Sequence, residues 1–271
     1  MKKIIPSICM LLVTAVLMGT STYAWFSMNK EVKATGMKVS ASTSSNLIIS
    51  DKTIDFANDN AYNLPFNVTA VLSPASSADG KNFFKADTTA SVPDKFGLPN
   101  DANFVKTNAT DGKENGETFF IEKNAYIGVK GVNALTNLKV KPEFIYNKAD
   151  GAAVAENEKA IYKALRVSVA YVTAADDEKA ATLLTANTTT TTWDGAIVAG
   201  PANESTSTKN VTGYTEATAI TGLDNLEVET SYHVIIRIWL EGQDANCFAN
   251  NATSAKKVLA DVTINLIFTA A

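Results

Sequence analysis

The strongest constraint on this chain is a period of two in its apolar residues. From Val258 to Phe268, Val262, Ile264, Leu266 and Phe268 share one parity, while Asp261, Thr263 and Asn265 share the other. Successive side chains of an extended strand point to opposite faces, so the pattern marks a strand with one buried face. Tyr232 to Leu240 behaves alike, with Val234, Ile236, Ile238 and Leu240 on one face and His233, Ile235, Arg237 and Trp239 on the other. Leu165, Val167, Val169 and Tyr171 form a third run, and Leu138, Val140, Phe144 and Tyr146 a fourth. Pro142 in the fourth run has no N–H to give a ladder, which predicts a sheet edge or a bulge. Shorter candidates are Met37–Ala41, Asn46–Ser50, Phe66–Leu72 and Phe119–Val129.

Two segments read as short helices that cap the sheets. Ala152–Ala164 carries Ala, Glu and Lys without internal Pro, and Ala174–Ala186 opens with Asp176, Asp177 and Glu178, which suit a helix N-terminus. Long polar stretches at 73–118 and 187–221 are rich in Asn, Thr, Asp and Gly and read as loop excursions from one domain. Strand candidates lie before, between and after them. The expected fold class is therefore mainly β: a jelly-roll-like antiparallel β-sandwich with long loops and one or two short helices, forming a single domain over 36–271.

The N-terminus carries a different signal. Met1-Lys2-Lys3 is positive, Ile4–Met18 has no charge, and Gly19–Ala24 is small and polar. That order is a secretory leader, with cleavage expected between Ala24 and Trp25. The uncharged run is shorter than the roughly 20 apolar residues a spanning helix needs. Cleavage removes Lys2, Lys3 and Cys9, leaving 22 basic against 28 acidic residues and Cys247 as the lone thiol. An acidic chain without a basic patch is not expected to bind nucleic acid, and a lone cysteine builds no disulfide framework.

Catalytic signatures are sparse. The sequence has one histidine, His233, so the H-E-x-x-H pair of a zinc protease is absent. A Ser-His-Asp triad would have to use His233, and no G-x-S-x-G exists to present a nucleophile. Ser254-Ala255-Lys256-Lys257 matches S-x-x-K without its partner motifs. Acidic and Asn-rich turns at 55–60, 100–103, 111–117 and 244–246 offer hard oxygens but lack the order of a calcium loop. The expectation is no enzyme activity, no metal and no cofactor.

The junction from Thr22 to Ala41, reading TYAWFSMNKEVKATGMKVSA, resembles that of the TasA/camelysin family of Gram-positive biofilm-matrix fibre proteins. There a small-aromatic-Ala cleavage site precedes an aromatic residue, then a polar segment and a β-strand. A second similarity lies in Ile238-Trp239-Leu240-Glu241-Gly242-Gln243-Asp244-Ala245-Asn246-Cys247, which resembles the end of exported proteins with the same type of leader. The resemblance covers about 20 residues at the start and about 30 at the end. It implies processing by a SipW-type signal peptidase and export to the cell surface or biofilm matrix. It implies assembly with copies of the chain itself, as a head-to-tail homopolymer, beside other matrix components. The freed arm, residues 25–35, is then the candidate donor strand: Trp25 and Phe26 lead it, and Met28, Val32 and Ala34 follow on one parity. Some family members carry a metalloprotease label, which the single His233 does not support. The rival expectation is a non-polymerising cell-surface adhesin or carbohydrate-binding module. Phe83, Phe84, Phe96, Phe104 and Trp193 in its loops would be the contact aromatics.

Overall fold

The structure, a computed structural model, describes residues 32–43, 46–86, 104–107, 112–115, 117–147, 163–185, 189–191, 197–199, 203–204, 210–214, 218–242, 244 and 262–271. The first strands are β1 (Val32–Thr43), β2 (Leu47–Ser50), β3 (Asn63–Leu72), β4 (Phe84–Ala86), β5 (Phe104–Lys106), β6 (Lys113–Glu114) and β7 (Glu117–Thr118). Then come β8 (Phe120–Val129), β9 (Leu135–Thr136), β10 (Lys139–Asn147), β11 (Leu165–Val172), β12 (Thr182–Thr185), β13 (Thr189–Thr191) and β14 (Ile197–Ala199). The last are β15 (Asn203–Glu204), β16 (Asn210–Tyr214), β17 (Thr218–Ala219), β18 (Asn225–Leu226), β19 (Ser231–Leu240) and β20 (Val262–Thr269).

Two sheets face each other. The larger runs β15-β16-β10-β20-β1-β3-β7-β6, with β17 also on β10; the smaller runs β12-β11-β19-β8-β2. Their inner faces meet in one core. The larger sheet gives it Met37, Val39, Ala41, Val140, Phe144, Val262, Ile264, Leu266 and Phe268. The smaller gives Leu47, Ile49, Ile121, Ala125, Ile127, Val129, Leu165, Val167, Val169, Val234, Ile236, Ile238 and Leu240. β20 alternates between buried and half-buried along its whole length, as its period of two requires. Each of its four buried apolar side chains contributes about 1.5–3 kcal/mol by leaving water.

Three findings differ from the sequence reading. The first concerns the helices: no helical element is formed by the described residues, so the helix-bearing fold class is corrected to two strand-built sheets. Of Ala174–Ala186, the described part to Thr185 is a hairpin turn and then β12. Thr173 accepts from the Asp176 N–H at its carbonyl (2.9 Å) and donates its own N–H to the Asp177 carbonyl (3.0 Å), while Asp176 takes a positive φ of 58°. That turn sends Leu183 and Leu184 back along Ser168 and Val167, and strand pairing overrides a weak helix propensity. Of the other expected helix, Ala152–Ala164, residues 152–162 lie outside the described residues.

The second concerns direction. Most pairs are antiparallel, but β1 and β20 run parallel, with Val39 opposite Ile264 and Ala41 opposite Leu266. The third concerns Pro142, which lies inside the larger sheet and not at its edge. It pairs with Leu266 on one side. On its other side, the neighbour of β10 changes from β17, ending at Val140, to β16, starting at Glu143. Between those two registers four steps of the neighbouring chain meet three of β10, the count of a bulge, and residues 215–217 lie outside the described residues.

Candidate functional site: the arm root and its anchor

Of the residues singled out at the N-terminus, Ala24, Trp25, Phe26 and Met28 lie outside the described residues. Val32 and Ala34 lie in β1, and their backbone pairs within the same chain: Val32 opposite Leu72 and Ala34 opposite Ala70 on β3. The register then shifts between Thr35 and Lys38, the mark of a bulge around Gly36. Beyond it, Lys38–Thr43 is held on both sides, by β3 and by β20. Before it, Val32–Thr35 has β3 as its only strand partner among the described residues. Among the described residues, the arm root is thus a one-sided extension of an otherwise interior strand.

What anchors its partner strand lies at the same end of the molecule. Past Leu72 the chain forms a strap, Ser73–Phe83, over the outer face of β11, β19 and β8. The Ser73 N–H donates to the Thr118 carbonyl (2.7 Å), Ala75 N–H to the Leu240 carbonyl (3.1 Å) and Gly242 N–H to the Ala75 carbonyl (3.0 Å). Under the strap, Ala75, Phe83, Phe119, Phe120 and Trp239 form a second apolar cluster. Phe83 stacks on Phe120 with centroids 4.2 Å apart and meets Trp239 edge-on at 5.3 Å. The 73–118 excursion therefore begins by returning to the sheet.

A buried polar knot ties this cluster together. Glu241 is fully buried, and its Oε2 accepts from Trp239 Nε1 (3.2 Å) and from the Ser77 N–H (3.3 Å). Arg166 donates to Asp244 Oδ2 at 2.5 Å and to the carbonyls of Lys163 (2.9 Å) and Leu165 (3.0 Å). Both side chains of that ion pair are almost wholly out of solvent. Arg237 bridges Glu122 (2.7 Å) and both oxygens of Glu178 (2.6 and 2.9 Å), and donates to the Gly80 carbonyl at 3.2 Å. Burial works against its charge, but the hydrogen bonds it donates to Glu178 and Glu122 outweigh it and raise its proton affinity further. Gly80 has φ of 67°, and a Cβ there would stand 2.4 Å from Ser168 Cβ, so only glycine lets the strap lie this close.

Trp239, Glu241, Gly242 and Asp244 each bind the strap or β11. The sequence reading did not assign them, nor Arg166, Arg237, Glu122 and Glu178. A signal was present: the outward faces of β11 and β19 carry Ala170, Val172, Ile235 and Trp239 beside the arginines, too apolar for a solvated face.

Among the described residues there is no cluster of three His, Cys, Asp or Glu able to hold a metal. His233 stacks on Tyr126 at 4.7 Å, and its Nε2 shares a hydrogen bond with Asn124 Oδ1 at 2.8 Å. Burial pushes its proton affinity below the ordinary value, against the weaker opposing pull of Asp176 and Glu122. The unfolded chain therefore takes up the proton first as the medium is acidified. Stability is expected to fall as pH drops from about 6.5 toward the lowered folded pKa. His233→Gln should flatten that part of the profile, as read by thermal unfolding between about pH 8 and pH 5. Of the loop aromatics, Phe83 is buried in the strap cluster, Phe84 is half-buried and Phe104 lies in β5; Phe96 and Trp193 lie outside the described residues.

No protein-family model matches this chain, and no curated protein matches it. Among solved structures, it is similar to AvmM, described as catalysing macrocyclization in alchivemycin A biosynthesis, at 8% identity and a TM-score of 0.23. That likeness covers 45% of this chain and 56% of AvmM, and it is too slight to carry an argument about fold or activity.

Proposed function

We propose that this protein is an exported structural subunit of an extracellular matrix filament. Subunits join head to tail by strand donation from the arm that follows the leader. In this reading a SipW-type signal peptidase frees Trp25, the principal partner is a second copy of the chain, and other matrix components surround the fibre. The protein would then act like members of the TasA/camelysin family. The observation that carries the reading is where the arm leads. Its last residues, Val32 and Ala34, already belong to β1, an interior strand of the larger sheet. An arm gripped by the next copy is thus covalently continuous with the core of its own subunit. Such β-augmentation draws affinity from main-chain hydrogen bonds and specificity from alternate side chains. Two different surfaces joined head to tail do not close on themselves, so the product is a fibre.

Trp25→Ser combined with Phe26→Ser tests the proposal. The double variant of the mature chain is expected to fold and to remain monomeric where the parent forms fibres in electron micrographs. Normal fibres from the double variant would contradict strand donation. The adhesin alternative loses one of its contact aromatics, because Phe83 is committed to the cluster beneath the strap.

A further inference from the structure

We propose that the outer face of the larger sheet binds an acidic polysaccharide, a polymer whose sugar rings carry carboxylates, laid across β10, β20 and β1 along the diagonal Lys141–Asn265–Lys38. The proposal does not depend on filament assembly.

The two outer faces of the sandwich differ. On the smaller sheet, Phe120, Ser168, Arg237 and Trp239 are buried where the strap crosses. On the larger sheet, Lys141, Glu143, Thr263, Asn265, Ser40 and Lys38 stand at outward positions, and none of them is buried. This open face is basic in an acidic protein. The chain has 24 Lys and Arg against 28 Asp and Glu. Yet in β10, β20 and the part of β1 beyond the bulge, the charged residues turned outward are Lys38, Lys139 and Lys141 against Glu143 alone. Lys38 and Lys139 are exposed.

The register sets the spacing. Lys141 stands opposite Ile267, Asn265 opposite Ser40, and Lys38 opposite Thr263. Ordinary strand dimensions then put the backbones at Lys141 and Lys38 about 16 Å apart, with Asn265 midway. Such a span suits an extended polymer, not a point anion. The ground between the lysines is made of hydroxyls and an amide. Ser40 donates to Asn265 Oδ1 at 2.8 Å, which turns the amide NH2 into the remaining donor and keeps the Ser40 oxygen as an acceptor. Sugar hydroxyls both donate and accept, so they match this mixture, and ring carboxylates match the point charge of an ammonium group. A nucleic acid fits less well. Its readers use bidentate arginines or aromatic stacking platforms. Both arginines of the chain, Arg166 and Arg237, are buried on the smaller sheet, and no outward residue of β10, β20 or β1 beyond the bulge is aromatic.

Binding of the mature chain to immobilised polygalacturonate tests the site, with dextran as the uncharged probe and a DNA duplex as the phosphate polymer. One variant carries Lys38→Gln, Lys139→Gln and Lys141→Gln. A second carries Lys52→Gln, Lys81→Gln and Lys179→Gln, which removes the same charge from positions beside the smaller sheet. The parent should bind polygalacturonate, more weakly as salt is raised, and should not bind dextran. The face variant should lose about tenfold in affinity and the second variant less than about twofold, both with the parent's unfolding midpoint. Glu143→Gln removes the one opposing charge and should tighten binding by about twofold, a gain that misfolding cannot mimic. Equal losses in the two triple variants would reduce the effect to net charge and overturn the site. A parent that ignores polygalacturonate, or holds dextran as well, would overturn it too. Tighter binding of the duplex through the same three lysines would give the face to nucleic acid and overturn the polysaccharide.

Discussion

Asp244→Ala is expected to destabilise the folded protein by about 3–5 kcal/mol, the range for breaking one side of a buried ion pair. Arg166 stays fully buried in this variant and loses the carboxylate that accepts its 2.5 Å hydrogen bond. The backbone carbonyls of Lys163 and Leu165 remain, but they are dipoles, not a counter-charge. The loss therefore reflects a buried guanidinium deprived of Asp244, not the net value of the pair. Arg166→Met with Asp244→Leu should recover part of it, since desolvation of both charges is then avoided. Denaturant midpoints of the three proteins check this. An Asp244→Ala variant as stable as the parent would mean that the knot does not hold the end of the fold.

The second large effect is expected from Trp239→Ala. Trp239 is fully buried, meets Phe83 edge-on and donates to Glu241. Truncating a buried tryptophan costs about 3–5 kcal/mol. The carboxylate of Glu241 also loses a donor where it is fully buried, and Phe83 loses a wall. Damage should concentrate in the strap, so backbone amides of residues 75–84 should exchange hydrogen faster, well before those of β20. Trp239→Phe separates the two contributions. It keeps most of the apolar contact and removes the N–H, so its cost should fall to about 1–3 kcal/mol. Uniform exchange changes across both sheets would show that the strap is not a separate unit.

The parts of the fold that were legible are those with two chemically different faces. In β20, Val262, Ile264, Leu266 and Phe268 are buried while Thr263, Asn265 and Ile267 are half-buried, and the alternation states this outright. β19 carries the same period, yet its second face is covered too. The segment covering it, Ser73–Phe83, lies more than a hundred residues away, and no local pattern encodes such a neighbour. Arg166 and Asp244 are 78 residues apart for the same reason. The parallel pairing of β1 with β20 joins the first described strand to the last and leaves no trace in either one alone. At Ala174–Ala186, helix-favouring composition misled because the positive φ of Asp176 closes a hairpin, and cross-strand contacts outweigh a few residues of propensity. Of the candidate site, the arm was legible as an apolar alternation after a leader. The bulge that divides β1 and the knot that steadies β3 became visible only in the folded chain.

Electron microscopy of two purified chains tests the central proposal most directly. One begins at Trp25, and the other begins at Val32 and lacks Trp25–Glu31, so that the described β1 is kept entire. The account predicts fibres from the first and a folded monomer from the second at the same concentration. Equal fibres from both, or monomers from both at high concentration, would contradict assembly through the N-terminal arm.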